Sequence, residues 1–313
     1  MYTYGIDVGG TTVKIGIAEI NGTQMNLLRR FEIKTNKENN GEMILPDIVS
    51  AINRDISENG VDRNEICGLG LGVPGPVLPD GTVNRCINLG WGVFNVEQTL
   101  SELSGFRVKA GNDANVAALG EMAFGAGVGF RNLIMLTLGT GVGGGIVVDG
   151  QIFRGSSGAS GEIGHMHVND AEGEACKCGN YGCLEQYASA SGIVRTYENK
   201  IAKGSMQSLQ GLTGLTCKDV FDNAKKGNGK AIAAVDYAAE CLGKAMANAA
   251  AVINPEVFVI GGSVMNAGDF LLDKIKENYK RYAFHACRNA QIVQAKLGGD
   301  AGIYGAAFLA TLG

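Results

Sequence analysis

The stretch "YTYGIDVGGTTVKIGIAEI", residues 2–20, decides how the chain is read. "YTYGIDV" and "VKIGIAEI" are apolar, β-branched runs separated by "GGTT", which predicts two strands around a tight turn. On the second strand Thr12 and Lys14 share one face, and Val13, Ile15 and Ile17 share the other. The turn places Asp7 just before Gly9, Gly10, Thr11 and Thr12. Successive backbone N–H groups at paired glycines form an anion-binding concavity, and the threonine hydroxyls add donors. Asp7 is suited to Mg²⁺ or its waters, because that ion prefers oxygen ligands. A plain β-turn with a solvated acid accounts for the octapeptide "DVGGTTVK" equally well.

The pattern outward from this hairpin is α/β. "NLLRRFEI" predicts a third strand. "GEMILPDIVSAINRDISENG" carries Ile44, Ile48, Ile52 and Ile56 at helical spacing and ends near Gly60. "ICGLGLGVPGPV" predicts a buried strand running into a Pro/Gly turn. "NVEQTLSELSG" predicts a helix capped by Asn95, "FRVKAGND" a strand and "ANVAALGEMAFGAG" a helix. A second unit begins near residues 115–130. Its "NLIMLTLGTGVGGGIVVDGQIF" predicts two or three strands, "KAIAAVDYAAECLGKAMANAAAVINP" a long helix stopped by Pro255, and "EVFVIGGSVM" a buried strand opening into a glycine turn. "AGIYGAAFLATLG" predicts a closing helix of small residues. Both units contain a strand–turn–strand opening, which hints at a duplicated architecture without a fixed-period repeat.

Glycine is the compositional outlier, at 48 of 313 residues, about twice the usual share of ~7%. The glycines cluster where backbone must turn or approach something closely. The net charge of −4 and the absence of a basic tract argue against nucleic acid as a partner. No apolar run reaches membrane-spanning length, and the N-terminus lacks a signal-peptide pattern. The expected location is cytoplasmic, where stable disulfides are uncommon. That bears on "CKCGNYGC", residues 176–183, which holds three of the 8 cysteines. A disulfide knot is disfavoured there, and metal binding or reduced thiols remain. His165 and His167, about ten residues earlier, would share a face on a strand, so spacing does not choose between them.

"GTGVGGG", residues 139–145, satisfies G-x-G-x-x-G, yet a strand rather than a helix follows it, which rejects a dinucleotide fingerprint. A phosphate-cradling loop between strands, or a hairpin with no ligand, fits the context. No Walker-type phosphate loop occurs.

Taken in order, "DVGGTTVK", "GLGVPGPV", "GNDANVAALGE", "GTGVGGGIVVDG", "GEIGHMHV" and "CKCGNYGCLEQYAS" resemble the ROK family of sugar kinases, from residue 4 to the end of the sequence. The resemblance implies an α/β protein with a two-lobe, actin-like (ribonuclease H-like) ATPase fold, with ATP and sugar meeting in an interlobe cleft. The expected lobes are 1–115 plus about 299–313, and 116–298, the latter carrying the cysteine loop. By resemblance Asp113 is the catalytic base, although Asp before a helix is also an ordinary N-cap. Gly75, Asn88, Asn112, Glu162, His165 and Glu185 are implied sugar contacts. Asp7 is the metal-side acid. Gly9, Gly10, Thr11, Thr12, Gly139, Thr140 and Gly141 face the phosphates of ATP, with Lys14 on the same polar side. Gly261 and Gly262 border the adenosine. The family pattern chooses His165 over His167, so that His165, Cys176, Cys178 and Cys183 would hold a structural Zn²⁺, a tetrahedral N/S set. One ring nitrogen of His165 would ligate the metal while the other serves a sugar hydroxyl. Trp91, the single tryptophan, is a candidate neighbour of the sugar.

"INLGWG" is similar to the glucokinase-like members, which makes glucose the expected acceptor and Mg-ATP the donor. N-acetylmannosamine, N-acetylglucosamine, fructose and allose are the alternative acceptors. A non-catalytic sugar sensor is the alternative class, disfavoured by the acidic balance and by a first strand that starts within about three residues of Met1. A homodimer is implied by the family alone.

Overall fold

The computed structural model describes residues 1–21, 24–202 and 214–312. Positions 22–23, 203–213 and 313, which the expected lobes include, lie outside the described residues. The opening hairpin forms as its pattern requires. Strands β1 (Tyr2–Val8) and β2 (Thr12–Asn21) pair antiparallel, with Asp7 opposite Lys14. Val13, Ile15 and Ile17 are buried, whereas Thr12 and Lys14 are half-buried. Strand β3 (Gln24–Lys34) continues the meander. Strands β4 (Ile66–Val73) and β7 (Val108–Asn112) add on the other side in parallel, giving the order β3-β2-β1-β4-β7. Helix α1 (Ile44–Asn59) buries Ile44, Ile48, Ile52 and Ile56 and ends on left-handed Gly60. Helix α2 (Val96–Ser104) is capped by Asn95, whose side chain accepts from the Gln98 N–H. The short antiparallel pair β5 (Thr82–Cys86) and β6 (Trp91–Asn95) escapes the sequence reading, because Asn84, Arg85, Gly92 and Val93 break its alternation.

The second sheet has the order β10-β9-β8-β11-β12, formed by β8 (Leu133–Leu138), β9 (Val142–Val148), β10 (Gln151–Ile152), β11 (Val257–Gly261) and β12 (Gln291–Gln294). In each sheet three strands consecutive in the chain lie in reverse order and later strands follow. That repeats the duplication hinted at in the sequence. Helices α3 (Asp113–Phe124), α4 (Glu185–Ala188), α5 (Ala190–Ala202), α6 (Cys217–Lys225), α7 (Gly229–Ile253), α8 (Asp269–Tyr282) and α9 (Ala301–Leu309) complete the fold. Among the described residues no helix is long and apolar enough to cross a membrane.

The chain divides into two compact units, one of Met1–Arg131, Gly145–Gly161 and Lys296–Gly313, the other of Asn132–Gly144 and Glu162–Ala295. This corrects the expected division after residue 115. Helix α3 stays with the first unit because it packs backbone to backbone on α9. A side chain on Gly120 would meet Ala301 O and Gly305 N, and one on Gly305 would meet Val116 O. Residues 145–161 also belong there, since Gly145 lies against the carbonyl of Ala114. Helix α9 covers the first sheet just as closely, and side chains on Gly5 and Gly70 would strike Ile303 O and Ala306 O.

One buried ionic group holds this unit. The Asp55 carboxylate, 8% exposed, accepts from Tyr4 Oη at 2.7 Å, Arg29 Nε at 3.1 Å, Arg29 Nη2 at 2.9 Å and Asn59 Nδ2 at 3.0 Å. Burial alone would raise the Asp55 pKa, but the hydrogen bonds from Arg29 and Tyr4 outweigh it and hold the carboxyl below the usual carboxylate range. The stability it contributes is therefore present above the unfolded pKa and lost as pH falls through the lowered folded one. Asp55→Ala is expected to cost about 2–3 kcal/mol at pH 7 and progressively less below about pH 4, because Tyr4 and Arg29 lose their partner. Urea unfolding at pH 7 and pH 3.5 checks this, and an undiminished difference at pH 3.5 would contradict the assignment.

Candidate active site and metal centre

Asn112, Asp113 and Gly75 lie together where β4 and β7 end in the first unit. Asn112, the last residue of β7, caps α3: its Oδ1 accepts from Ala114 N at 3.1 Å and Asn115 N at 3.2 Å. Its Nδ2 donates to Gly75 O at 3.3 Å. The "VPGP" turn and the start of α3 are thus tied by one side chain. The ordinary N-cap alternative for Asp113 is corrected here, because Asn112 holds that position and Asp113 is the first residue of the helix. The half-buried Asp113 carboxylate accepts from Ala114 N at 2.8 Å. Asn115, 1% exposed, braces the same end of the helix by accepting from Ile146 N at 3.0 Å and donating to Ser160 O at 3.3 Å. Asn88 is exposed in a one-turn 3₁₀ helix. Trp91 is buried, donating to Gly41 O at 3.1 Å and packing edge-on to Phe94.

The "GGTT" turn is built as an open concavity. Gly9 N donates to Thr12 O at 3.0 Å, Thr35 Oγ1 donates to Gly9 O at 2.7 Å, and nothing lies within 4 Å of where a side chain on Gly10 would stand. Beside it, burial raises the Asp7 pKa and Lys14 opposes the rise. Lys14 Nζ donates to Gly299 O at 3.1 Å, while Asp7 packs on Gly302 at the start of α9. The return of the chain to this site is a contact that no local pattern announces.

The second unit assembles the rest. Gly139, Thr140 and Gly141 form the turn from β8 to β9, closed by Gly139 N donating to Gly141 O at 2.9 Å. The Glu185 carboxylate lies where a side chain on residue 141 would be, and it accepts from Val142 N at 2.9 Å. Glycine at 141 leaves open the space that a carboxylate 44 positions away in sequence enters. Gly261 and Gly262 end β11, which runs parallel to β8. Gly262 has φ 89°, and a side chain there would strike the Leu138 backbone just before Gly139. Next to this second turn is a pocket of about 840 Å³, including its open mouth, lined among others by Thr216, Lys218, Phe221, Ser263 and Val264. Sequence reading missed those side chains. The only signal was the capping box of Thr216 and Asp219 ahead of α6.

The cysteine loop folds as a knuckle. Cys176 N donates to Asn180 O at 2.7 Å and Gly179 N to Cys176 O at 2.8 Å, with Gly179 and Gly182 at positive φ. His165, Cys176, Cys178 and Cys183 bring one ligand atom each within 4.8 Å of one another. Cys178 Sγ and Cys183 Sγ are 3.6 Å apart, and Cys176 Sγ lies 3.8 Å from His165 Nδ1. Metal–sulfur bonds of about 2.3 Å in a tetrahedron give ligand separations close to these, so the set fits zinc. As a free thiol Cys183 is pushed up to about 12, by burial first and by the other thiols second. A dication reverses that order and keeps coordinated sulfur as thiolate. His165 lies in a 3₁₀ turn, with Nδ1 on the cluster and Nε2 3.8 Å from Glu162 Oε2. His167 is outside the cluster, bonded to Tyr181 O and Asp170 Oδ1, both at 2.8 Å. Of the remaining cysteines Cys86, Cys241 and Cys287 are buried, while Cys67 and Cys217 are only half-buried.

The sequence pattern of the ROK family matches residues 3–312. A glucokinase of Halalkalibacterium halodurans is 41% identical over 313 residues, covering 97% of this chain and 93% of that protein. A glucokinase of Streptomyces coelicolor is 34% identical, covering 98% of this chain and 97% of the other. The crystal structure of a ROK family glucokinase from Streptomyces griseus, in complex with glucose and AMPPNP, aligns with a TM-score of 0.75 at 32% identity, and both chains are covered in full. On matches that span its whole length, the chain belongs to the ROK family, whose sugar kinases share the two-lobe, actin-like ATPase fold.

Proposed function

We propose that this protein is an ATP-dependent glucokinase, which transfers the γ-phosphoryl group of ATP to the 6-hydroxyl of glucose. The observation that carries this reading is the Glu185 carboxylate seated under Gly141. The hydrogen bond from Val142 N thereby ties an acid assigned to the sugar to a turn assigned to the phosphates. Phosphoryl transfer asks for positioning and charge neutralisation more than covalent chemistry, which suits such a construction.

Asp113 takes the proton of the attacking hydroxyl. Gly75, Asn88, Asn112, Glu162, His165 and Glu185 are the residues assigned to the sugar hydroxyls. The turns at residues 9–12 and 139–141, with the hydroxyls of Thr11, Thr12 and Thr140 and with Lys14, receive the phosphates. The pocket beside Gly261 and Gly262 takes the adenosine. Asp7, a single carboxylate beside the open turn, fits the Mg²⁺ that accompanies ATP and neutralises phosphate charge. His165, Cys176, Cys178 and Cys183 hold a structural zinc whose closed shell orients His165 without activating water. On this reading the enzyme is cytoplasmic and homodimeric, with a small sugar as its partner and neither nucleic acid nor membrane.

ADP release from Mg-ATP with glucose, N-acetylmannosamine, N-acetylglucosamine, fructose and allose tests the reading. Glucose is expected to give at least about tenfold higher kcat/KM than any other sugar, since one lost hydrogen bond in such a pocket discriminates by orders of magnitude. Preference for another sugar would overturn the acceptor. No release with any sugar, from folded protein, would replace the kinase by a sensor.

A further inference from the structure

Glu121 ends the "GNDANVAALGE" stretch and has no part in the chemistry above. It is fully buried, at 0% exposure. Among the described residues its carboxylate meets only backbone N–H donors: Ala126 at 2.7 Å, Leu297 at 2.7 Å, and Lys296 at 3.0 and 3.1 Å to its two oxygens. A buried carboxylate is expensive unless its lone pairs are filled, and here both oxygens are engaged. What it grips is the point where the chain re-enters the first unit, at Lys296.

The gripped segment leads straight to the phosphate side. Asp300 N donates to Leu297 O at 3.1 Å, closing the turn that contains Gly299. Gly299 O receives Lys14 Nζ, and Gly302 packs on Asp7. From the solvent side Arg30 Nη1 holds both oxygens of Asp300, at 2.6 and 2.8 Å. The sugar end of α3 has separate anchors, in Asn112 on Gly75 and Asn115 on Ile146 and Ser160.

We propose that Glu121 is a positioning residue for phosphoryl transfer, acting through the return turn Lys296–Asp300 on Lys14 and Asp7. The proposal rests on the kinase reading. It deepens that reading by assigning the nucleotide side, and not the sugar side, to a residue remote from both ligands. A carboxylate is required because every contact is a donor. Glutamine keeps one acceptor and turns an NH₂ group against backbone N–H groups.

Glu121→Gln is expected to lower kcat/KM for Mg-ATP by about tenfold or more, as misplaced groups do in positional catalysis. Calorimetry should show weaker Mg-AMPPNP binding and glucose affinity within about twofold of wild type. Asp300→Ala loosens the same turn from the exposed side and is expected to shift the ATP parameters in the same direction by about threefold, without a buried-donor penalty. Folded Glu121→Gln with wild-type ATP parameters would overturn the proposal, and so would equal losses of glucose and nucleotide affinity, which mark a merely structural role. If Glu121→Gln does not fold, unchanged ATP parameters in Asp300→Ala overturn it. A wild-type protein inert toward every sugar of the panel would instead sink the kinase reading, and Mg-AMPPNP affinity alone would then decide the role of Glu121.

Discussion

Asp113→Asn is expected to lower kcat by about three orders of magnitude while glucose affinity changes by no more than about threefold, within the range for loss of a general base. The substitution is nearly isosteric. The amide oxygen can still accept from Ala114 N, the contact that the carboxylate makes at 2.8 Å. The helix start does not depend on it, because Asn112 supplies the cap and Asn115 the brace to Ile146 and Ser160. The negative charge and the capacity to take a proton disappear. Stopped-flow or coupled ADP assays give kcat, and calorimetry with glucose gives affinity on the same preparation. A mutant with comparable turnover removes Asp113 as the base. A mutant that loses sugar binding as well moves it to a substrate-holding role.

The second large effect concerns the metal. Purified protein is expected to carry about one zinc per chain, and Cys178→Ser to lose it, with KM for glucose rising by about 10- to 100-fold as when a metal site's orienting shell is broken. Cys178 suits the test because it is exposed, unlike the buried Cys176 and Cys183. His165 links the two effects, since its Nδ1 faces Cys176 Sγ and its Nε2 points at Glu162. Release of the ion frees the ring to rotate, and the sugar-side nitrogen is no longer held. Because thiolates must form before the ion binds, acidification should strip zinc in competition with protons. Elemental analysis and the glucose KM of the same sample decide. Active, well-folded protein without zinc would remove the metal from the account.

Local patterns carried much of this fold. The β1–β2 hairpin, α1 with its Gly60 stop, α2 with Asn95 and the long α7 all follow from alternation, helical spacing and capping within a few residues. What the sequence hid is long-range. Strand β12 is only four residues long, with one buried side chain, too short for a periodic signal. The membership of α3 in the first unit depends on Gly120 meeting α9 about 180 residues later in the chain. Within the site, motif order named the residues, but not their couplings. Nothing near Gly141 says that Glu185 stands in place of its side chain, and nothing near Lys14 announces the carbonyl of Gly299. Glu121 reads as an ordinary polar helix residue until its three backbone donors are seen.

The seating of α9 on the first sheet has a consequence for how the protein is made. Gly5 and Gly70 lie flush against the backbone of Ile303 and Ala306. That face of the sheet therefore has no cover while translation continues through the intervening chain. At about 5–20 residues per second, the opening hairpin waits roughly 15–60 s on the ribosome for its packing partner. During that interval its apolar face is open to chaperones and to neighbouring nascent chains, so these strands are sealed long after they are made.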